Sequence, residues 1–161
     1  MLETDPLSSL FDILSVSSSI TGEQLSVTFN SSAASKSLND YLTPNIPEQF
    51  LNGWEVLIDV DNNALTGDKL GIDYRFSVGV KPRPDGNPPG LAGIILKFDS
   101  AENKYASVDA LQMLFEPDSA SLTLTGNIPG INQTSRLIFL SRLVEKMVNS
   151  NPLVVGDRIC N

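Results

Sequence analysis

Residues 58–74, IDVDNNALTGDKLGIDY, concentrate oxygen-bearing side chains at the end of an apolar run. Asp59, Asp61, Asn62, Asn63, Thr66, Asp68 and Asp73 all fall within this one stretch. Carboxylates so close together repel one another unless a cation compensates them. Hard cations such as calcium gather roughly six to eight oxygens from carboxylates, amides, backbone carbonyls and water. The stretch supplies the protein donors of that set. Asn62, Asn63 and Gly67 also tolerate left-handed backbone angles, which lets carbonyls turn inward. The expected site is a metal centre at Asp59, Asp61 and Asp73, helped by Asn63 and Thr66, with calcium as the ion. It is not an EF-hand. With Asp59 in first place, Ala64 and Leu70 stand where that loop requires glycine and a bidentate glutamate. The competing reading is a solvated acidic turn, because Asp and Asn favour turns through local hydrogen bonds.

Other chemistry is thinly represented. The chain has no histidine, which removes Ser-His-Asp and Cys-His catalysis and histidine-ligated zinc. The single cysteine, Cys160, cannot build a disulfide framework or a CxxC site, although in a longer chain it could pair elsewhere. Asp99, Glu102, Asp109 and Glu116 are scattered around turns and strand ends and read as solvated surface acids. No catalytic or organic-cofactor residue is assigned. NSS (30–32) and NQT (132–134) match the N-glycosylation sequon, which matters only in a eukaryotic source. Trp54 precedes an apolar strand and reads as core, whereas Tyr41 and Tyr105 are candidates for exposure and sugar stacking.

The elements that must position the acidic loop are strands. A chain of 161 residues, 41% hydrophobic, fits one globular domain over 1–161. Its 19 acidic and 11 basic residues give a net charge of −8, which argues against nucleic acid and against anionic membrane surfaces. No run approaches the roughly 20 apolar residues of a membrane span. MLETDPLSSL lacks the basic and apolar regions of a signal peptide, and the abrupt GDRICN ending suggests a domain excised from a longer protein.

Short strands are expected at 11–16, 24–29, 54–60, 73–80, 91–98 and 121–126, with one or two more across 105–116. TGE, KPRPDGNPPG, DSAENK and PDSA separate them as turns. The 73–80 and 91–98 runs are expected to pair as a hairpin. WEVLIDV is apolar on both faces, as suits a central strand. The polar, proline-bearing segment 30–50 reads as a long surface connection. Such spacing implies an all-β antiparallel sandwich or barrel. Residues 136–149 are ambiguous. Leu137, Leu140, Val144, Met147 and Val148 follow a helical period with Thr134 or Ser135 as N-cap, yet RLIFLSRLV also suits a buried strand.

The segment GWEVLIDVDNNALTGDKLGIDYRF resembles one found in bacterial secreted β-sandwich domains related to the DOMON superfamily and to family 9 carbohydrate-binding modules. That pattern is an apolar strand, Asp-x-Asp, Thr-Gly and Gly-x-Asp-Tyr, here Asp59, Asp61, Thr66, Gly67, Gly71, Asp73 and Tyr74. The likeness is specific over about two dozen residues and loose elsewhere. It implies an immunoglobulin- or jelly-roll-like sandwich, favours calcium, and favours a strand at 136–144 over a short C-terminal helix. Haem-binding members use methionine and histidine, which this chain does not supply together. The expected role is a non-catalytic, calcium-stabilised accessory or binding domain of a secreted, periplasmic or cell-surface protein. Carbohydrate or a neighbouring domain is its candidate partner. The alternative is a hydrolase domain with a metal-assisted acidic active site.

Overall fold

The computed structural model describes residues 12–32, 53–81, 90–116, 119–148, 151–155 and 158–160. Their strands are β1 (Ile13–Thr21), β2 (Gln24–Ser31), β3 (Gly53–Asp59), β4 (Tyr74–Lys81), β5 (Gly90–Asp99), β6 (Lys104–Ala110), β7 (Gln112–Glu116), β8 (Ser121–Asn127), β9 (Arg136–Val148), β10 (Asn151–Val155) and β11 (Arg158–Cys160). The fold is all-β, and no helix occurs among the described residues. Every pairing is antiparallel. One sheet has the order β1-β2-β8-β7; the other runs β10-β9-β3-β4-β5-β6, with β11 also against β9.

The two sheets close on one core because their strands alternate. Leu25, Val27 and Phe29 of β2 and Leu122 and Leu124 of β8 point inward from the smaller sheet. Trp54, Val56, Ile58, Phe76, Ile95, Leu137 and Phe139 meet them from the larger one. Phe29 and Phe139 touch edge to face, with ring centroids 6.1 Å apart. At Gly126 a Cβ would lie 2.7 Å from Ile95 Cδ1 and 2.8 Å from Phe76 Cζ, so only glycine fits this approach of the sheets.

β3 lies between β9 and β4 and is buried on both faces. Its inward residues join the main core. On its outer face Leu57 packs with Ile72 and Ile138, flanked by Tyr105 and Leu140. Ile72 belongs to the acidic loop, so the loop itself folds back and covers β3. The expected β4–β5 hairpin forms, pairing Tyr74 with Lys97 through Lys81 with Gly90.

Several boundaries differ from expectation. β1 extends to Thr21 rather than stopping near residue 16, because Val16 and Ile20 continue the inward period, with Ser18 between them opposite Val27, while Ser15, Ser17 and Ser19 face out. The 105–116 run is two strands in different sheets. The chain crosses between them at buried Leu111, whose N–H donates to the Gly93 carbonyl at 3.2 Å. The helical alternative at 136–149 is wrong over its described part. β9 is extended, pairing β3 through Arg136–Arg142, β11 through Ile138–Leu140 and β10 through Leu143–Val148. Its helix-like spacing is overridden because neighbours on both edges satisfy its backbone. β10 and β11 have no counterpart in the sequence reading, and Cys160 sits in β11 opposite Ile138. The long connection at 33–52, with Tyr41, and the turn at 82–89 lie outside the described residues.

Candidate metal centre

Asp59 ends β3 on its outer face and is fully buried. Asp73 just precedes β4, where its N–H donates to the Ile58 carbonyl at 2.9 Å and its own carbonyl accepts Phe98 N–H at 2.8 Å. These bonds extend the β3–β4 and β4–β5 ladders and hold Asp73 beside Asp59. Asp61 starts the loop and is exposed. The Asn63 N–H bridges Asp59 Oδ1 at 3.1 Å and Asp61 Oδ1 at 3.0 Å. Thr66 Oγ1 lies 2.9 Å from both oxygens of Asp61 and from the Asn63 carbonyl. Its single proton serves one of these acceptors at a time. The Asn63 side-chain oxygen accepts Leu65 N–H at 3.1 Å. Asn62 and Gly67 adopt positive φ, 52° and 71°, as the loop's turn chemistry requires.

One carboxylate oxygen from each of Asp59, Asp61 and Asp73 falls within 4.8 Å of the others. Two oxygens each about 2.4 Å from one calcium ion lie at most about 4.8 Å apart. The triad can therefore hold a metal ion. Asp73 bears the cost of crowding. Its pKa is raised, first by burial and then by the charges of Asp61, Asp59 and Asp68, against one stabilising bond from Val60 N–H to Oδ2 at 2.9 Å.

Arg136, unassigned from the sequence, and Ser135, expected there as a helix N-cap, complete the loop. Arg136, opposite Asp59 in the β3–β9 register, donates to Asp59 Oδ2 from Nε at 3.2 Å and Nη2 at 2.9 Å. Nη2 also reaches the Leu70 carbonyl at 2.8 Å. Ser135 is a tie rather than a helix cap: its hydroxyl donates to the Val60 carbonyl at 2.7 Å. Thr134 instead closes a turn with Asn132, donating its N–H to Oδ1 at 2.9 Å.

Asp68 serves a different purpose from the triad. Its Oδ1 accepts Leu70 N–H at 2.8 Å and Ile72 N–H at 3.1 Å. Its Oδ2 accepts Arg75 Nη2 and the Tyr105 hydroxyl, both at 2.9 Å. The Arg75 guanidinium stacks 4.2 Å from the centre of the Tyr105 ring. Burial alone would raise the Asp68 pKa, but these four bonds outweigh it and lower it. Burial also pushes Tyr105 up to about 12. Asp68 thus latches the far end of the loop to β4 and β6. Because its folded pKa is depressed, its contribution is present above the ordinary value of 3.8 and is lost as pH falls through the lowered one. Asp68→Ala is expected to cost about 1–3 kcal/mol by stranding its donors. The measurement is chemical denaturation at neutral pH, with faster amide exchange at Leu70 and Ile72; unchanged exchange there would refute the latch.

The structure therefore brings Asp59, Asp61 and Asp73 together and makes Asn63 and Thr66 braces on that group. Neither Trp54, in the core, nor Tyr105, in the latch, is presented for sugar stacking. Arg136 is 77 residues from Asp59, and nothing in the local sequence around it signals the contact. Fold and site together define an antiparallel β-sandwich carrying an acidic loop across the outer face of its larger sheet. Compared with models of protein families, with curated proteins and with solved structures, the chain finds no match.

Proposed function

We propose that this chain is a non-catalytic accessory or binding domain of a secreted, periplasmic or cell-surface protein, stabilised by one calcium ion in the 59–73 loop. The convergence of three carboxylates at the junction of β3 and β4 carries this reading. The donors are all hard oxygens, which suits calcium, magnesium or manganese. An irregular loop of carboxylates, carbonyls and water favours calcium, because magnesium demands near-ideal octahedral geometry and dehydrates reluctantly. Three carboxylates, one of them already paired with Arg136, suit a weak site of about 10⁻⁴–10⁻³ M, as in extracellular modules. The resemblance of residues 53–76 to calcium-bearing secreted sandwiches supports the same assignment. Calorimetric titration with calcium chloride is expected to give one ion per chain. Absence of binding heat at millimolar calcium at several temperatures would overturn the proposal.

A carbohydrate partner is the second reading, supported by the outer face of the smaller sheet. Register aligns Ser19, Ser26, Thr125 and Gln112 in one row and Ser17, Thr28, Thr123 and Leu114 in the next. Thr28 and Thr123 hydroxyls lie 2.9 Å apart, and those of Ser26 and Thr125 3.2 Å apart. Glu116 is the one formal charge on this face of the four strands, in a chain of net charge −8. An uncharged array of hydroxyls and amides suits a neutral polyhydroxylated polymer. Retention on microcrystalline cellulose or insoluble xylan is expected to persist in high salt and to vanish in Thr28→Lys/Thr123→Lys. No retention on either polymer would sink this reading.

A further inference from the structure

We infer that the outer face of the smaller sheet takes a linear, neutral glycan that crosses its four strands, anchored by Leu14 at one edge and Leu114 at the other. The inference rests on the carbohydrate reading above and deepens it by naming the ligand's length and direction. Leu14 is 66% exposed and Leu114 58%, and each lies on an edge strand of this sheet. Leu114 faces outward opposite Thr123. Leu14 is placed by a bulge in β1 between Ile13, which faces the core, and Ser15, which lies opposite Asn30 on the outer face. Leu14 is the extra residue of that bulge and stands out beside Ser15. Val16 then resumes the inward period. The bulge thus adds an apolar side chain to an otherwise polar face without disturbing the core.

The side chains between the two leucines are hydroxyls and amides held by one another. Asn30 Nδ2 donates to Ser15 Oγ at 3.0 Å, and Thr28 and Thr123 share one bond at 2.9 Å. Each pair spends one donor and keeps others for a ligand. Such groups both give and accept hydrogen bonds, as sugar hydroxyls do. No outward position of these four strands carries an aromatic ring, so the leucines are the apolar contacts offered to the CH faces of pyranose rings. Charge selects a neutral occupant. Glu116 is the one formal charge on this face, so a polyanion meets no counter-charge and a polycation finds its acids elsewhere on a chain of net charge −8. Three inter-strand spacings of about 4.8 Å put the edge strands at least about 14 Å apart. A disaccharide is too short to touch both leucines, whereas a tetrasaccharide reaches them.

The test uses the full chain, wild type and with Leu14→Ser or Leu114→Ser. Retention on microcrystalline cellulose and insoluble xylan is measured first. Calorimetry then compares cellobiose with cellotetraose, or xylobiose with xylotetraose, according to the polymer that retains the wild type. The tetrasaccharide is expected to bind at least about tenfold more tightly than the disaccharide. Each leucine variant is expected to lose about tenfold for the tetrasaccharide, the effect of leaving roughly 50–60 Å² of apolar surface in water at about 25 cal/mol per Å². Their melting temperatures should match the wild type, because both side chains already face water. Retention of the wild type on a polymer, with equal affinity for the two oligosaccharides or with leucine variants that bind as the wild type does, overturns the anchors while leaving the carbohydrate reading standing. No retention on either polymer overturns both. Sedimentation showing sugar-free self-association that Leu14→Ser and Leu114→Ser abolish would assign the face to a second copy of the chain and overturn the inference as well.

Discussion

Asp59→Ala is expected to lower the melting temperature in chelator by about 6–12 °C, from a loss of roughly 3 kcal/mol at about 2–4 °C per kcal/mol for a domain of this size. The carboxylate is fully buried and holds Arg136 at 2.9 Å and Asn63 N–H at 3.1 Å. Its removal leaves the Arg136 guanidinium without its carboxylate, while Asn63 N–H keeps its bond to Asp61 Oδ1. Breaking a buried ion pair costs about 3–5 kcal/mol, and the lower end applies here because Arg136 is 37% exposed and regains some water. Asp59→Ala/Arg136→Met should recover part of the loss, since removing both partners leaves no stranded charge. A drop below about 2 °C, taking the same conversion, would mean that water already screens the pair. The variant should also lose any response to calcium.

Calcium at a hundredfold excess over its Kd, about 10–100 mM for the weak site proposed, is expected to raise the melting temperature of the wild-type chain by about 5–10 °C over chelator. An ion that binds only the folded state contributes about 2.7 kcal/mol at a hundredfold excess over its Kd. Converted at about 2–4 °C per kcal/mol, that gives the stated shift. Magnesium should do less. Asp61→Asn and Asp73→Asn should each remove the increment. Asp99→Asn should keep it, because Asp99 only caps the β5–β6 turn through Ala101 and Glu102 N–H. Identical melts in calcium and chelator would refute the prediction.

Asp73 gives the calcium effect a pH signature. Its folded pKa lies above the ordinary 3.8, so its favourable contribution is present below that value and is lost as pH rises through the raised one. In chelator, Asp73→Asn should therefore raise stability at neutral pH, since the amide oxygen still accepts Val60 N–H without adding charge. With calcium the order reverses, because wild type gains the ion and the variant does not. The wild-type calcium increment should shrink as pH falls through the Asp73 titration, where protons compete with the ion. Melting curves of both proteins across that range, with and without calcium, measure the crossing.

The sequence by itself determined the all-β class, because side-chain alternation such as Leu25, Val27 and Phe29 is a local property of a half-buried strand. It determined the β4–β5 hairpin, the core position of Trp54, and the place of the acidic loop, since Asp-x-Asp with Asn and Gly is legible within a few residues. Tertiary structure alone decided three other things. β9 is a strand because β3, β10 and β11 meet its backbone, while its own residues fit two periods. Asp59 is buried because Ile72 folds the loop over Leu57 and Ile138, a closure that depends on strands distant in sequence. Arg136 compensates Asp59 because the β3–β9 register sets them opposite each other, and a slip of one residue would send Arg136 to the other face. Periodicity is written locally in side chains, whereas register and charge compensation exist only once distant strands have paired.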